Sequence, residues 1–259
     1  MPNNYVLGRG KLYFDRFLPN TEINTGERYL GNTPEFSLSV ETEEVQHYSS
    51  EEGLKIKDES VTLQVDYSGT FTTDNIDLDN IAAFFFGSKT AQTESAATGS
   101  EDTLEGVQQG RYYQLGMSGA NPVGLRQVTV TDVEDAGGGG STYTPGTDYT
   151  VEPDLGRIYI VEGGNIADGT DIDVTYDVAG HTHDLVVSGS DLIYGALRFI
   201  SFNGVGRQTD FYMPKVALRP NGEFALKGDD WQQFGFNVEI LKKGSLQNIY
   251  ADGRPYNIT

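Results

Sequence analysis

Phe36-Ser37-Leu38-Ser39-Val40-Glu41 and Val61-Thr62-Leu63-Gln64-Val65-Asp66-Tyr67 decide how this chain is read. Apolar and polar side chains alternate in both, the period of a strand with one face buried. Phe36, Leu38 and Val40 share one face, with Ser37, Ser39 and Glu41 on the other; Val61, Leu63, Val65 and Tyr67 do the same in the partner run. A charged stretch from Glu41 to Glu59 lies between them, with Gly53 where the chain can reverse. The two runs are expected to pair as a long hairpin whose tip projects from the body.

The same alternation recurs outward from this hairpin, so the fold is expected to be mainly β. Lys11 to Phe17 and Arg28-Tyr29-Leu30 precede it, separated by the polar turn residues Pro19, Asn20, Asn24 and Gly26. One helix interrupts the pattern. Asp74-Asn75-Ile76-Asp77 offers N-caps, Leu78, Ile81, Ala82 and Phe85 follow at helical spacing, and Gly87 is placed for a left-handed cap. Acids at Asp77 and Asp79 suit the first turn, and Phe84-Phe85-Phe86 is wide enough to bury more than one side. Lys89 to Gly106 is small, polar and without period, which predicts a linker or extended loop. From Gly106 to Gly180, short runs at Tyr112, Gln127 to Thr131, Tyr149 to Val151, Arg157 to Val161 and Asp171 to Tyr176 predict a small all-β sandwich. After a His181-Thr182-His183-Asp184 linker, strands are expected at Ala196 to Phe202, Phe211 to Leu218, Glu223 to Lys227 and Gln233 to Leu241.

Composition narrows the function. The 259 residues suffice for one large or two modest domains, and 38 acidic against 18 basic side chains give a net charge of -20. That balance argues against ordinary nucleic-acid binding, which needs clustered Lys and Arg, and against attraction to an anionic membrane. The absence of Cys removes disulfides, thiolate catalysis and Cys-based zinc sites. No apolar run approaches the roughly 20 residues of a membrane-spanning helix, and the N-terminal stretch lacks the pattern of a secretory signal.

Reactive constellations are weak. His181 and His183, at i and i+2 with Asp184 beside them, have a spacing compatible with metal ligation, but a solvated linker explains them better. Asp168, Asp171, Asp173 and Asp177 carry calcium-type oxygens at offsets that match no calcium loop. Asp168-Gly169 reads as a hairpin turn, and Asp171 and Asp173 as the wet face of an edge strand. Gly137 to Gly140 lacks the following helix and Lys of a phosphate loop, and Gly204-Val205-Gly206 fails similarly. No Gly-x-Ser-x-Gly elbow is present, and nothing selects a catalytic carboxylate pair. Trp231 before an alternating strand reads as a partly buried edge anchor rather than a sugar platform. No catalytic, cofactor or metal residue is assigned.

Several motifs together resemble the major tail tube proteins of long-tailed, non-contractile bacteriophages. These are Gly8-Arg9-Gly10-Lys11-Leu12-Tyr13-Phe14, Gly26 to Thr33, Phe36 to Val40 with its charged hairpin, and Val61 to Tyr67 followed by Phe71 to Ile76 and the Phe-rich helix. The likeness covers Met1 to about Gly87, and Leu192 to Thr259 more loosely. Tyr149 to Tyr176 looks like an immunoglobulin-like insertion of the kind that decorates phage tails.

The resemblance implies a tail-tube β-sandwich or barrel with one flanking helix, split into residues 1–105 and 181–259 around an outward-facing immunoglobulin-like sandwich at 106–180. It also implies homo-hexameric rings that stack on identical rings, meet other tail proteins at the tube ends, and conduct the viral DNA during ejection. Neither enzymatic activity nor a membrane partner is expected, and the location would be the virion tail, after synthesis in the host cytoplasm. An acidic lumen would repel phosphate, and six copies at -20 carry about -120 per ring, although solubility before assembly also explains the acidity. The family's equivalent loop contacts the adjacent ring, which makes Tyr48, Glu51, Glu52, Lys55 and Lys57 the candidate inter-ring residues. A carbohydrate-binding or cell-surface β-module is the alternative, and a capsid decoration or tail terminator protein a related one.

Overall fold

The computed structural model describes residues 5–51, 53–137 and 140–254. Strands hold 54% of the chain and helices 4%, so the fold is mainly β, in several antiparallel sheets. The chain divides into two compact units, residues 1–90 with 186–259, and residues 91–185. In chain order, unit 1 begins with β1 (Gly10–Arg16), β2 (Arg28–Tyr29), β3 (Glu35–Ser49), β4 (Ile56–Thr73) and helix α1 (Leu78–Phe84). Strand β5 (Ser88–Glu94) leads into unit 2, which holds β6 (Ala97–Val107), β7 (Tyr112–Gln114), β8 (Val128–Asp135), β9 (Tyr149–Glu152), β10 (Arg157–Ile160) and β11 (Thr170–Val178). Strand β12 (His181–Val187) leads back, and β13 (Ile193–Ser201), β14 (Thr209–Asn221), β15 (Phe234–Ile240) and β16 (Tyr250–Gly253) complete unit 1.

Unit 1 is one antiparallel sheet in the order β2-β1-β13-β14-β15-β4-β3, with β16 also pairing β14. Its central strands, β13, β14 and β15, are the most buried. The core holds Leu12, Phe14, Phe71, Leu197, Met213, Phe234, Phe236 and Val238. Phe71 stacks on Phe236 at 5.0 Å, and Phe84 brings α1 down on Phe234 at 5.4 Å. Strand β14 bulges opposite Ala196, where register passes from Gly195↔Val216 to Leu197↔Met213. Pro214 lies in that bulge; with no N–H to give, it is tolerated where the ladder is already broken.

Helix α1 starts where expected. Asp77 caps it, its carboxylate accepting from the Asn80 N–H at 2.7 Å. Its end differs: Phe86, at φ 54°, takes the left-handed position expected of Gly87. Gly87 serves another need, since a Cβ there would lie 2.0 Å from the Val187 carbonyl oxygen. The triple-Phe run buries only Phe84, leaving Phe85 42% exposed.

Unit 2 contains two three-stranded sheets, β7-β10-β9 and β6-β11-β8, which share one core. Ile172, Val174, Tyr176 and Val178 alternate inward along β11 against Ile158 and Ile160 of β10. Lys89 to Gly106 is not a linker, since β5 and β6 run through it. Backbone pairing with β12 and β11 organises these polar side chains, a force that hydrophobic period does not register. His181 to Asp184 likewise forms strand β12, whereas Glu223 to Lys227 forms no strand. Strand β11 is central rather than an edge.

Candidate assembly interface

The feature that sets unit 1 apart is the β3–β4 hairpin. Strand β15 covers β4 only from Tyr67 to Thr73, so residues 41–49 and 56–66 continue past the sheet as a two-stranded arm. Nine residues at about 3.3 Å each make an overhang of roughly 30 Å. Register shifts at Glu43/Glu44 and at His47/Tyr48 leave Leu63 and Asp58 as extra residues on β4. Each bulge adds twist and changes which side chains share a face. Before the first, Phe36 and Val40 lie opposite Phe71 and Tyr67, and Thr42 lies opposite Val65; beyond it, Val45 lies directly opposite Val61.

This arm has no core of its own. Val45, Tyr48, Leu54, Ile56, Val61, Leu63 and Val65 are all exposed, Leu54 at 78% and Leu63 at 61%. Polar contacts within and between its strands line it instead. His47 Nδ1 lies 2.6 Å from Asp58 Oδ1, the Ser60 hydroxyl donates to Glu44, and the Tyr48 hydroxyl donates to Gln46 at 2.7 Å. The hydrogen bond from His47 holds the Asp58 carboxyl below its ordinary pKa.

The predicted contact residues gather at the arm's end. Tyr48 is the next-to-last residue of β3, Lys57 lies opposite it in β4, and Glu51 and Lys55 lie in the exposed turn between the strands. Glu52 lies outside the described residues. Among the described residues neither Lys55 nor Lys57 is ion-paired within the chain. The charge reading missed the apolar residues around them, and the signal for these was present: alternation that continues beyond any strand able to cover it.

A second exposed apolar group lies on the β14–β15 connection. Trp231 is 95% exposed, which overturns the buried-anchor expectation: the segment before β15 packs Phe224, not the indole, on Phe84 and Phe234. Asp74, Ile76, Asp230, Trp231 and Gln232 line a cavity of about 320 Å³. A larger one, about 1050 Å³, involves Phe17 to Glu22, Ser188 to Tyr194 and Lys215.

The other candidate chemistry disperses. Asp168, Asp171 and Asp177 accept from the backbone N–H groups of Gln109, Gly106 and Gly99, and Asp173 accepts from Thr103 and Gly137. Each carboxylate is engaged by a different partner, and among the described residues no three His, Cys, Asp or Glu side chains are grouped to hold a metal. His181 and His183 stack at 5.4 Å, with His181 Nδ1 bonded to the Ala179 carbonyl; among the described residues His181 Nε2 and His183 Nδ1 have no hydrogen-bond partner. Gly138 and Gly139 of the glycine run lie outside the described residues. Among the described residues no helix is long and apolar enough to cross a membrane.

No curated protein matches the chain. A family model described as a protein of unknown function, UCP028589, matches residues 5–248. That match takes in unit 2 and most of both segments of unit 1, and the chain therefore belongs to the UCP028589 family.

Proposed function

We propose that the protein is a structural, non-enzymatic subunit of a phage tail tube, assembling into hexameric rings that stack and conduct viral DNA. On this reading unit 1 is the tail-tube domain and unit 2 an immunoglobulin-like insertion. The observation that carries the proposal is the arm. A two-stranded ribbon is marginal in water by itself, and this one exposes seven large apolar side chains beside an edge of β3 that is unpaired among the described residues. Contact with another copy would cover that surface and complete the edge. The acids along it, Glu41, Glu43 and Glu44 among them, would keep free arms from pairing wrongly before assembly.

Charge refines the proposal. Unit 2 carries 16 acidic against three basic side chains, a net of -13, which leaves unit 1 with 22 against 15, a net of -7. Residues 41–66 alone hold eight acids and two lysines, so nearly all of unit 1's excess lies on the arm. Repulsion of DNA by a lumen of unit 1 would draw on those acids rather than on the whole -20.

A carbohydrate-binding or cell-surface module is favoured by one observation, the bare indole of Trp231, but it gives the arm no purpose. Negative-stain electron microscopy of the purified protein separates the two. Rings or tubes are expected; monodisperse monomers at high concentration would remove the tube reading.

A further inference from the structure

The arm's apolar tip and the Trp231 cavity lie at the two ends of one strand. Strand β4 begins at Ile56, beside the tip, and ends at Thr73, one residue before Asp74 of the cavity wall. Its pairing with β15 puts Thr73 opposite Phe234, so the connection that carries Trp231 emerges at that same end. Eighteen residues of strand separate the two places by at most roughly 60 Å. A chain cannot fold its own tip into its own cavity across that length of paired strand.

The match between the two surfaces is local: residues 51–59 hold four acids against two lysines, so the complementarity lies in Leu54 to Lys57 alone. Leu54 and Ile56 are exposed apolar side chains, and the lysines next to them, Lys55 and Lys57, are the arm's only basic residues. The cavity offers the Trp231 indole and Ile76 as apolar wall, with Asp74 and Asp230 as acids beside them. Leu226 is also exposed on the same connection. We infer that the Leu54–Lys57 tip of one copy seats in the Asp74–Ile76–Trp231 cavity of the next, making a heterologous, head-to-tail contact that propagates along one axis. The inference rests on the proposal that the chain assembles through its arm, and it adds the surface that receives the arm. It also limits the axial repeat of the assembly to about 60 Å or less, since β4 spans the distance from one contact to the next.

Cysteine pairs test this directly, because the native chain has no Cys. A Leu54→Cys/Trp231→Cys double variant is oxidised and run on non-reducing gels. A ladder of covalent multimers that collapses on reduction is expected. Each single variant should give no ladder, and mixing the two should give dimers. Dimers from Leu54→Cys alone would mean tip-to-tip pairing and would overturn the inference. The second arm of the test is Trp231→Ala, whose side chain is too exposed to matter for folding; loss of an anchor of this kind should raise the concentration needed for assembly roughly 30-fold. If Lys55→Glu/Lys57→Glu blocks assembly while Trp231→Ala leaves it unchanged and the double cysteine gives no ladder, the acceptor is elsewhere and the arm reading survives. If wild type never assembles, both fall.

Discussion

Replacing Phe84 with Ala tests whether the molecule has two independent cores. Phe84 is 8% exposed, and its ring meets Phe224, Phe234 and Phe236 at 6.0, 5.4 and 6.1 Å. It is the one side chain of the triple-Phe run that anchors α1 to the sheet. Truncation leaves a ring-sized void, and a loss of about 3–5 kcal/mol is expected. For a unit of this size each kcal/mol moves the midpoint by about 2–4 °C, so unit 1 should melt some 6–20 °C lower. Phe84 belongs to the core of unit 1, and the core of unit 2 is built from other residues. Differential scanning calorimetry should therefore show one transition falling and another unmoved. Ile172→Ala, in the core of unit 2, should do the converse. A single transition that shifts as a whole in both variants would refute the assignment of separate cores.

Lys55→Glu/Lys57→Glu should fold normally by circular dichroism, because among the described residues neither lysine is ion-paired, yet should block stacking at low salt and partly recover near 1 M salt, where charges more than about 3 Å apart are screened. Normal-length tubes from this variant at low salt would remove the tip from the stacking interface. Asp15 should make unit 1 acid-sensitive. Burial pushes its carboxyl up, but hydrogen bonds from Asn24, Gly26 and Thr25 outweigh this and hold it below the ordinary value. A depressed folded pKa stabilises at pH above about 4 and loses that contribution as pH falls toward the folded value, so Asp15→Asn should flatten stability against pH between 4 and 2 in urea titrations. Gly31→Ala should destabilise unit 1, since φ is +85° there and a Cβ would lie 2.1 Å from that of Asn75; an unchanged urea midpoint would argue against this packing.

Much of the framework was legible in the chain itself. Alternation located β1, β3, β4, β10, β11 and β15, because burying one face of a strand leaves a period of two whatever the partner is. Asp77 and the residues after it announced α1, since a cap is a local hydrogen bond. The Glu41 to Glu59 stretch read as a projecting hairpin, and its tip residues were named from charge. Tertiary structure decided the rest. Ser88 to Glu94 and Ala97 to Val107 are strands only because β12 and β11 supply backbone partners, and backbone hydrogen bonds leave no mark on side-chain period. Asp171 and Asp173 sit on a central strand because both its neighbours arrive from distant sequence, and their carboxylates then engage Gly106, Thr103 and Gly137. Whether an apolar residue is core or surface is likewise not local. Leu38 and Leu63 stand in equivalent alternating runs, but β15 and the core lie beside one end of the hairpin and end at Tyr67, so Leu38 packs against the core while Leu63 meets solvent.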